Sequence, residues 1–497
     1  MSGGADGLGE KPGLFWRTAV SMRRAYGAIP GAVRHPFDDR LVAGSAAVVA
    51  VACAWHEPIS LAAAIGTFGA FAARREVSWI RAFLVLSVLG GVGIVRAENA
   101  LDQLVPRQLG TYDGWITLVD DPQPYGPSTR VVAEIDGERF EMWARGRALQ
   151  IRVATWRAGE SVLTHGQRTA LKPERQGRVA WQHVVGEFRP DWVSDVAAGS
   201  PVDTASNRVR AALERASAQL PDDDGALFRG LVVGDDRDQP WEMIERFRVS
   251  GLSHLTAVSG QNVSFVLMAA APLLRALRPW RRWLVTIGLI VWFVSLTRFE
   301  PSIMRAGVMA SLSATAFVLG RERSPTRILW LAVTGLLLID PLLVRSIGFV
   351  LSVGATAGVA ALGPPIARRL TPLGFMATPV GVTLGAQIGV IVPVVAVFGR
   401  LPLVSVPANL LAVPVAGFVM LYGLPAGLLA GVVPPVAPVV MFPCRIGVRW
   451  VDTVSVLGAR VEPGGAATWV GWCVIVVVAG AIAAMNRGRH GSPSTDG

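Results

Sequence analysis

His254 and Ser259 come nearest in this sequence to the base and nucleophile of a hydrolase. A serine nucleophile needs a histidine within hydrogen-bond reach and an acid that orients the histidine. The spacing of five residues places the two side chains on roughly different faces of a helix, and no orienting acid is apparent. We therefore expect no catalytic residues. The alternative for His254 is an interfacial side chain bonded to a loop carbonyl.

Metal and nucleotide chemistry also lack their usual residue patterns. The six histidines are scattered, without the HxH or HExxH spacing that holds a metal, and the three cysteines lie far apart. The sequence contains no GxxxxGKS or GxxxxGKT loop. We expect no bound metal, no cofactor and no ATP hydrolysis, so another protein has to drive any directional movement of a substrate.

Polar residues within apolar segments are more informative. A polar side chain in lipid costs free energy unless it meets protein or water. Eight residues are therefore candidates to line an aqueous channel: His254, Ser259, Gln261, Asn262, Arg298, Arg305, Gln387 and Asn409. The alternative is that they join helices through hydrogen bonds worth roughly 1 kcal/mol each. Gly381, Gly385 and Gly389 recur every four residues, which predicts close helix packing beside Gln387.

Arginine and tryptophan are interspersed in residues 143–157. Residues 145–178 contain seven arginines, one lysine and two acids, whereas residues 105–144 contain three arginines and seven acids. A basic groove with stacking aromatic side chains favours single-stranded nucleic acid. The candidate DNA-binding residues are Trp143, Arg145, Arg147, Arg152, Trp156 and Arg157. The alternative is that strand alternation buries both tryptophans in a domain whose total charge is near neutral.

The composition indicates a membrane protein. Of 497 residues, 52% are hydrophobic and only 17% are charged. Apolar stretches recur, and the longest approach the roughly 20 residues that cross a bilayer. The net charge of +11 comes almost entirely from arginine. Arginine binds phosphate bidentately, but a genome that favours arginine codons explains the excess equally well.

The arginine distribution predicts the topology, because short cytoplasmic loops retain positive charge. It favours an inner-membrane protein with cytoplasmic N- and C-termini. We divide the chain into a cytoplasmic tail (1–40), about three transmembrane helices (41–97), an extracytoplasmic β domain (105–200), an amphipathic helical segment (201–250), a transmembrane channel domain (251–487) and a disordered tail (488–497).

The β domain is predicted from alternating short segments. Thr129 to Ile135 and Glu138 to Ala144 flank Asp136-Gly137, a dipeptide preferred in two-residue hairpins. Trp115 to Val119, Gln150 to Thr155 and Glu160 to His165 are further predicted strands. Five or so strands in this length indicate a small barrel, for which an OB-like fold is the natural candidate.

The last third of the chain is expected to contain broken helices. Six prolines between residues 402 and 435 interrupt its apolar sequence. Broken helices are tolerated in membranes only where they face protein or a wet cavity. The charged residues between Cys444 and Arg460 suggest a helix along the outer surface.

Three blocks of sequence resemble the ComEC family of competence DNA-uptake channels. They are GLSHLTAVSGQNV (251–263), EPSIMRAGVMA (300–310) with GRERSP (320–325) and IDP (339–341), and FGRLPLVSVPANLLAVPVAG (398–417). The resemblance implies a polytopic α-helical membrane protein with an inserted extracytoplasmic OB-like domain. It also implies a channel that carries single-stranded DNA into the cytoplasm during natural transformation.

The resemblance further implies partners: single-stranded DNA, a DNA receptor protein on the outer face, a cytoplasmic helicase-like ATPase, a separate nuclease and membrane lipids. Many family members read SGxH where this chain has Ser259-Gly260-Gln261-Asn262. Others end in a metallo-β-lactamase-like domain, whose HxHxDH motif this sequence lacks. No nuclease activity is therefore assigned. The alternatives are a secondary transporter of a small anion and a membrane scaffold.

Overall fold

The computed structural model describes residues 36–55, 79–221, 223–256, 259–321 and 324–474. Several predictions fall outside these residues: most of the N-terminal tail, a second helix near residues 58–73, most of a final span at residues 469–485, and the C-terminal tail. Within the described ranges, four helices are long and apolar enough to cross a membrane: Phe83–Asp102, Ile347–Arg369, Thr371–Phe398 and Ser405–Val432. The predicted membrane character of the chain is confirmed.

Among the described residues, two helices precede the β domain and the others follow it. The first two are α1 (Pro36–Trp55) and α2 (Trp79–Asp102). After the β domain come α5 (Pro201–Ser217), α6 (Asp224–Val233), α7 (Trp241–Val249), α8 (Ser253–Thr256), α9 (Gly260–Arg275), α10 (Pro279–Leu296), α11 (Pro301–Val318), α12 (Pro325–Ile339), α13 (Ile347–Arg369), α14 (Ala377–Phe398), α15 (Ser405–Val432), α16 (Ala437–Val440) and α17 (Phe442–Val461). Helix α5 confirms the predicted amphipathic helix, and Ser200 caps its first turn.

The β domain is a closed barrel. Its strands are β1 (Gly110–Leu118), β2 (Gln123–Tyr125), β3 (Ser128–Ile135), β4 (Glu138–Arg145), β5 (Ser161–Ala170) and β6 (Val184–Ala197), with short helices α3 (Arg147–Ala154) and α4 (Pro173–Val179). The sheet order β1-β5-β6-β4-β3-β2, with an extra pairing of β1 and β3, closes five strands into a ring. Strands β4 and β6 pair in parallel, and the other neighbours are antiparallel.

The predicted hairpin is present between β3 and β4. Asp136 and Gly137 have φ angles of 52° and 79°, the left-handed conformation that a type I′ turn needs at both central positions. Ile135 pairs with Glu138 across the turn. The alternation of β3 and β4 then directs residues such as Val131, Phe140 and Met142 into the barrel core.

One strand prediction is wrong. Gln150 to Thr155, predicted as a strand, lies mainly in helix α3. Gly146, with φ of 85°, lies directly after β4 and precedes the helix, and Val153 is the buried residue of the helix. A segment this short has too few apolar positions to separate a strand period from a helix period.

Helices α13 and α14 form a glycine-packed hairpin. A Cβ on Gly358 would lie 2.1 Å from the carbonyl oxygen of Gly385, and one on Gly354 would lie 2.5 Å from that of Gly389. The two backbones are therefore in direct contact over several turns. The predicted close packing of the glycine repeat in α14 is confirmed.

The expected helix breaks within residues 405–432 are absent. Helix α15 runs without interruption for 28 residues and includes Pro414 and Pro425. Neighbouring helices can compensate for the backbone hydrogen bonds that proline removes from a membrane helix. Helix α15 has such neighbours, because half of its most apolar stretch is buried against the rest of the protein. The predicted helix at 444–460 is present as α17, which packs along α15.

Candidate channel and nucleic-acid interface

Five helices of the channel domain form a closed circuit of contacts. Helix α9 packs against α11 and α15, α11 packs against α13, α13 against α14, and α14 against α15. Seven of the eight predicted channel-lining residues lie in these helices or in the segment that leads into α9; Arg298 precedes α11. A circuit of this kind is the arrangement that an enclosed path between helices requires. We call it the five-helix circuit.

The chain leading into the circuit carries polar side chains with different surroundings. His254 on α8 and Gln261 in the first turn of α9 are exposed. Asn262 is only 2% exposed, and its amide donates to the carbonyl oxygen of Leu231 in α6 at 3.1 Å. Ser259 donates to Asn262 at 3.2 Å. The side chain of Gln261 is thus exposed, whereas that of Asn262 joins α9 to α6.

Arg305 is a buried cation in the second turn of α11, with only 4% of its surface exposed. Its Nε donates to the hydroxyl of Ser352 on α13 at 2.9 Å, and its Nη1 contacts the sulfur of Met309 at 2.9 Å. Within the described part of the chain, no carboxylate forms an ion pair with it. Arg305 therefore joins two helices of the circuit and carries an uncompensated charge.

Gln387 and Asn409 converge on one serine. The Gln387 amide, near the middle of α14, donates to the hydroxyl of Ser405 at 2.6 Å. The Asn409 amide donates to the backbone carbonyl of Ser405 at 2.7 Å. The hydrogen bond from Gln387 therefore joins α14 to α15. Asn409 is buried, with 8% of its surface exposed. Whether any of the eight residues lines a channel stays a prediction.

Arg298 lies in the turn between α10 and α11 and contacts the β domain. Its guanidinium donates to both oxygens of Asp121, at 3.2 and 3.0 Å, and to Asn207 of α5 at 2.6 Å. Arg298 and Phe299 have φ angles of 59° and 55°, which are uncommon for residues other than glycine. The contact with Asp121 therefore fixes an uncommon backbone conformation directly before α11.

Asp121 is the centre of an ion network between the barrel and the helices. It also binds Arg210 of α5 at 3.0 Å, and Arg210 approaches Asp235 at 3.5 Å. Burial alone would raise the pKa of Asp121, but the charges of Arg210 and Arg298 outweigh burial and hold that pKa well below its usual range. Burial is similarly opposed at Asp235, where hydrogen bonds from Arg237 hold the pKa at about 2. Both carboxylates are ionised at neutral pH.

The barrel carries an aromatic and basic surface, here called the Trp143 surface, which consists of Arg130 of β3, Trp143 of β4, Tyr125 of β2 and Arg175 of α4. The guanidinium of Arg175 stacks 4.5 Å from the ring centre of Trp143, and Tyr125 packs edge-on to the same ring at 5.8 Å. Glu141, fully buried beneath them, binds Arg175 at 2.8 Å and Arg130 at 3.0 Å. Two arginines therefore neutralise the charge of Glu141 within this surface. The ring of Tyr125 is 69% exposed.

The other predicted DNA-binding residues are more dispersed. Arg145 and Arg147 are exposed next to Trp143 in sequence. Arg152 is exposed but donates to the carbonyl oxygen of Val193 at 2.8 Å, and Arg157 is paired with Glu214 of α5. Trp156 is 1% exposed and fills the barrel core. The alternative interpretation, in which the tryptophans are buried, therefore applies to Trp156.

Tyr125 and Arg175 belong to this surface but were missed from the sequence. Tyr125 lies in β2, a three-residue strand that begins Gln-Pro and carries no alternation to identify it. Arg175 lies in α4, between β5 and β6. Its separation of 32 residues from Trp143 hides their contact. Within the described ranges, no three His, Cys, Asp or Glu side chains are grouped so that they could hold a metal ion.

Comparisons with known proteins agree on one family. The model of the family described as "Competence protein" matches residues 231–489. The chain is 31% identical over 217 residues to ComE operon protein 3 of Bacillus subtilis, which covers 42% of this chain and 27% of that protein. It is 27% identical over 387 residues to competence protein ComA of Neisseria gonorrhoeae, covering 70% and 53%.

A third relative is the uncharacterized protein YcaI of Escherichia coli, 28% identical over 214 residues, covering 39% of this chain and 28% of that protein. The chain therefore spans between about a quarter and about half of the length of these relatives. No solved structure matches the chain.

Proposed function

Because the chain belongs to the ComEC family of competence proteins, we propose that it forms the inner-membrane channel that carries single-stranded DNA into the cytoplasm during natural transformation. A strand carries one negative charge per nucleotide, and a bare charge in hydrocarbon is prohibitively costly. Passage therefore needs a hydrated lumen with polar or cationic groups.

The observation that carries this proposal is the five-helix circuit. Its helices contact one another in a closed order, and Gln261, Arg305 and Gln387 belong to three of them. Contacts between polar side chains join α11 to α13 and α14 to α15. These contacts hold the helices of the circuit together, as either interpretation of the polar residues expects, and the closed order of the helices is what supports a path between them.

The barrel is proposed to receive the strand on the outer side of the membrane. We assign it an OB-like fold because it has five strands in a closed ring and a helix, α3, between β4 and β5. OB barrels bind oligonucleotides on the face of their second and third strands. The corresponding strands here are β3 and β4, which carry the Trp143 surface with Arg145 and Arg147 beside it.

The proposed orientation places both termini in the cytoplasm, since the arginine-rich loops then face inward. The chain itself has no proposed enzymatic activity. We therefore expect a DNA receptor protein on the outer face to deliver DNA, a helicase-like ATPase in the cytoplasm to move it, and a separate nuclease to degrade the other strand.

Photocross-linking tests the channel directly. A photoreactive amino acid at Gln261 should cross-link labelled single-stranded DNA that is being taken up by cells. The same amino acid at Val392, which is 75% exposed on α14, is the control and should cross-link lipid. DNA cross-linked at neither position, or equally at both, would contradict the proposal. A deletion strain that takes up labelled DNA normally but loses flux of a small anion would favour a solute transporter.

A further inference from the structure

Helices α10 and α11 are joined to each other at the end of the bundle that lies away from the barrel. Their other end meets the barrel through Arg298, in the turn between them. Helix α10 has 18 residues, so its start lies about 27 Å from that contact. There the indole of Trp283 donates to the hydroxyl of Thr315 at 3.0 Å, and the guanidinium of Arg282 stacks 5.5 Å from the ring centre of Phe317. The start of α10 and the last turn of α11 therefore lie side by side.

Five arginines are gathered at this far end. Four of them lie within eight residues, from the last turn of α9 to the first turn of α10, and the fifth follows α11. Among the residues that the structure describes, no carboxylate forms an ion pair with any of them. All but Arg282 are exposed. The arginine cluster consists of Arg275, Arg278, Arg281, Arg282 and Arg321.

Large apolar side chains are exposed directly beside the arginine cluster. Leu273 in the last turn of α9, Leu284 near the start of α10 and Leu319 at the end of α11 are 77%, 50% and 62% exposed. Trp280, in the first turn of α10, is 56% exposed. Apolar exposure of this kind marks a surface that contacts a membrane or another protein. Tryptophan and arginine at the ends of apolar helices are typical of the boundary between a membrane and water.

Two guanidinium groups of the cluster are positioned by aromatic rings. Arg282 stacks on Phe317, and Arg281 stacks 5.4 Å from the ring centre of Trp280. A side chain that is ordered before a ligand binds loses less conformational entropy on binding. The orientation of a membrane protein depends only on the positive charge of such a loop. Ordered guanidinium groups above an apolar surface have, in addition, the form of a binding site.

We propose that the arginine cluster binds the headgroup of an anionic phospholipid, whose acyl chains cover the neighbouring apolar side chains. Guanidinium groups bind phosphate oxygens bidentately, and clusters of four or more basic residues beside membrane helices attract anionic lipids. Lipid is the occupant that accounts for both halves of the surface. A soluble anion or a nucleic acid strand would use the arginines but would leave Leu273 and Leu319 uncovered. The inference does not depend on the proposed channel function.

A double variant removes charge from the cluster and leaves the contact of Arg282 with Phe317 in place. It combines Arg278→Gln with Arg281→Gln. The matched control combines Arg145→Gln with Arg147→Gln, which removes two exposed arginines from the barrel instead. The full-length proteins are purified in detergent and titrated with short-chain phosphatidylglycerol, with phosphatidylcholine of the same chain length, and with glycerol 3-phosphate. Native mass spectrometry gives the dissociation constants.

Phosphatidylglycerol should bind the wild type and the control more tightly than phosphatidylcholine does. The double variant should bind phosphatidylglycerol roughly thirtyfold more weakly, because each arginine near an anionic lipid surface contributes roughly fivefold. Its affinity for phosphatidylcholine should not change. Equal affinity of all three proteins for phosphatidylglycerol would overturn the inference. Glycerol 3-phosphate that binds as tightly as phosphatidylglycerol would assign the cluster to a soluble anion and also overturn it.

Labelled oligothymidylate tests nucleic acid as the other occupant. A double variant that loses oligothymidylate binding but keeps its affinity for phosphatidylglycerol would contradict a lipid site. If the double variant does not fold, the wild type decides the inference. Its preference for phosphatidylglycerol over phosphatidylcholine should weaken strongly as salt is added, because salt screens exposed charges. A preference that is insensitive to salt would refute a site built on these arginines.

Discussion

Asp121 of the barrel and Arg298 of the turn before α11 are joined by two hydrogen bonds, of 3.2 and 3.0 Å. The side chains are 8% and 10% exposed. The pair links the β domain to the helix that carries Arg305. Removing one partner from a buried ion pair leaves the other charge uncompensated, which typically costs more than the pair contributes when intact.

Asp121→Asn should therefore destabilise the protein by about 3 kcal/mol, since Arg210 and Arg298 both lose their charged partner. The free energy of unfolding, or the melting temperature in detergent, measures the effect. Asp113→Asn, an exposed acid on β1 that forms no ion pair in the described structure, should change neither quantity. Equal stability of the two variants would show that the network does not hold the domains together.

Glu300, at the start of α11, should make stability depend on pH near neutrality. Its side chain reaches solvent, but the surrounding protein limits its hydration, and this burial raises its pKa to about 7, with the charges of Asp120 and Asp236 adding to the effect. Between its ordinary pKa and about 7 the native state holds a proton that the unfolded state has released. Stability should thus fall as pH rises through this window and stay low above it.

Glu300→Gln cannot ionise, so it should raise the melting temperature above pH 7 and have little effect at pH 5. Melting curves of both proteins from pH 5 to pH 8 measure the difference. Glu134→Gln, at an exposed position of β3, serves as the control and should leave the pH profile unchanged. A difference between Glu300→Gln and the wild type that is the same at pH 5 and pH 8 would refute the raised pKa.

Gly358→Ala should disrupt the hairpin of α13 and α14. The added Cβ would lie 2.1 Å from the carbonyl oxygen of Gly385, so the helices must separate, at a cost of about 1–3 kcal/mol or more. Gly335→Ala on α12 is the matched control, because a Cβ there meets nothing within 4 Å. The measurement is the melting temperature together with the yield of folded protein, and indistinguishable variants would contradict the packing.

Trp143→Ala should weaken binding of labelled oligothymidylate to the full-length protein by about tenfold to a hundredfold, since stacking contributes about 1–3 kcal/mol per base. Trp115→Ala is the control, because Trp115 is an exposed tryptophan on β1, outside the Trp143 surface. Fluorescence anisotropy in nanodiscs gives both dissociation constants. If the two tryptophans contribute equally, binding is not localised to β3 and β4.

Local patterns were sufficient to predict several elements. The turn at Asp136-Gly137, its two strands and the amphipathic helix α5 could all be predicted, because each depends on residues that are close together in sequence. The glycine repeat of α14 predicted close packing, although its partners on α13 lie about 30 residues away. In each case, a short periodic pattern determines the local structure.

The site depended on contacts that sequence spacing does not encode. Trp156 and Trp143 read alike in sequence, yet one fills the barrel core and the other lies on its surface. The contact of Arg305 with Ser352 depends on how α11 packs against α13. The prolines of α15 led to a wrong prediction of helix breaks. Their effect depends on the neighbouring helices, which the sequence of a single segment does not reveal.

The glycine contacts of α13 and α14 limit how the proposed channel could widen. Because their backbones are in direct contact, α13 and α14 cannot separate without losing contact over several turns. We therefore expect them to move as one rigid unit. This unit is joined to α11 by the hydrogen bond of Arg305 with Ser352, and to α15 by the hydrogen bond of Gln387 with Ser405. In the proposed channel, widening would therefore begin at one of these two contacts, and the opposite contact would serve as the hinge.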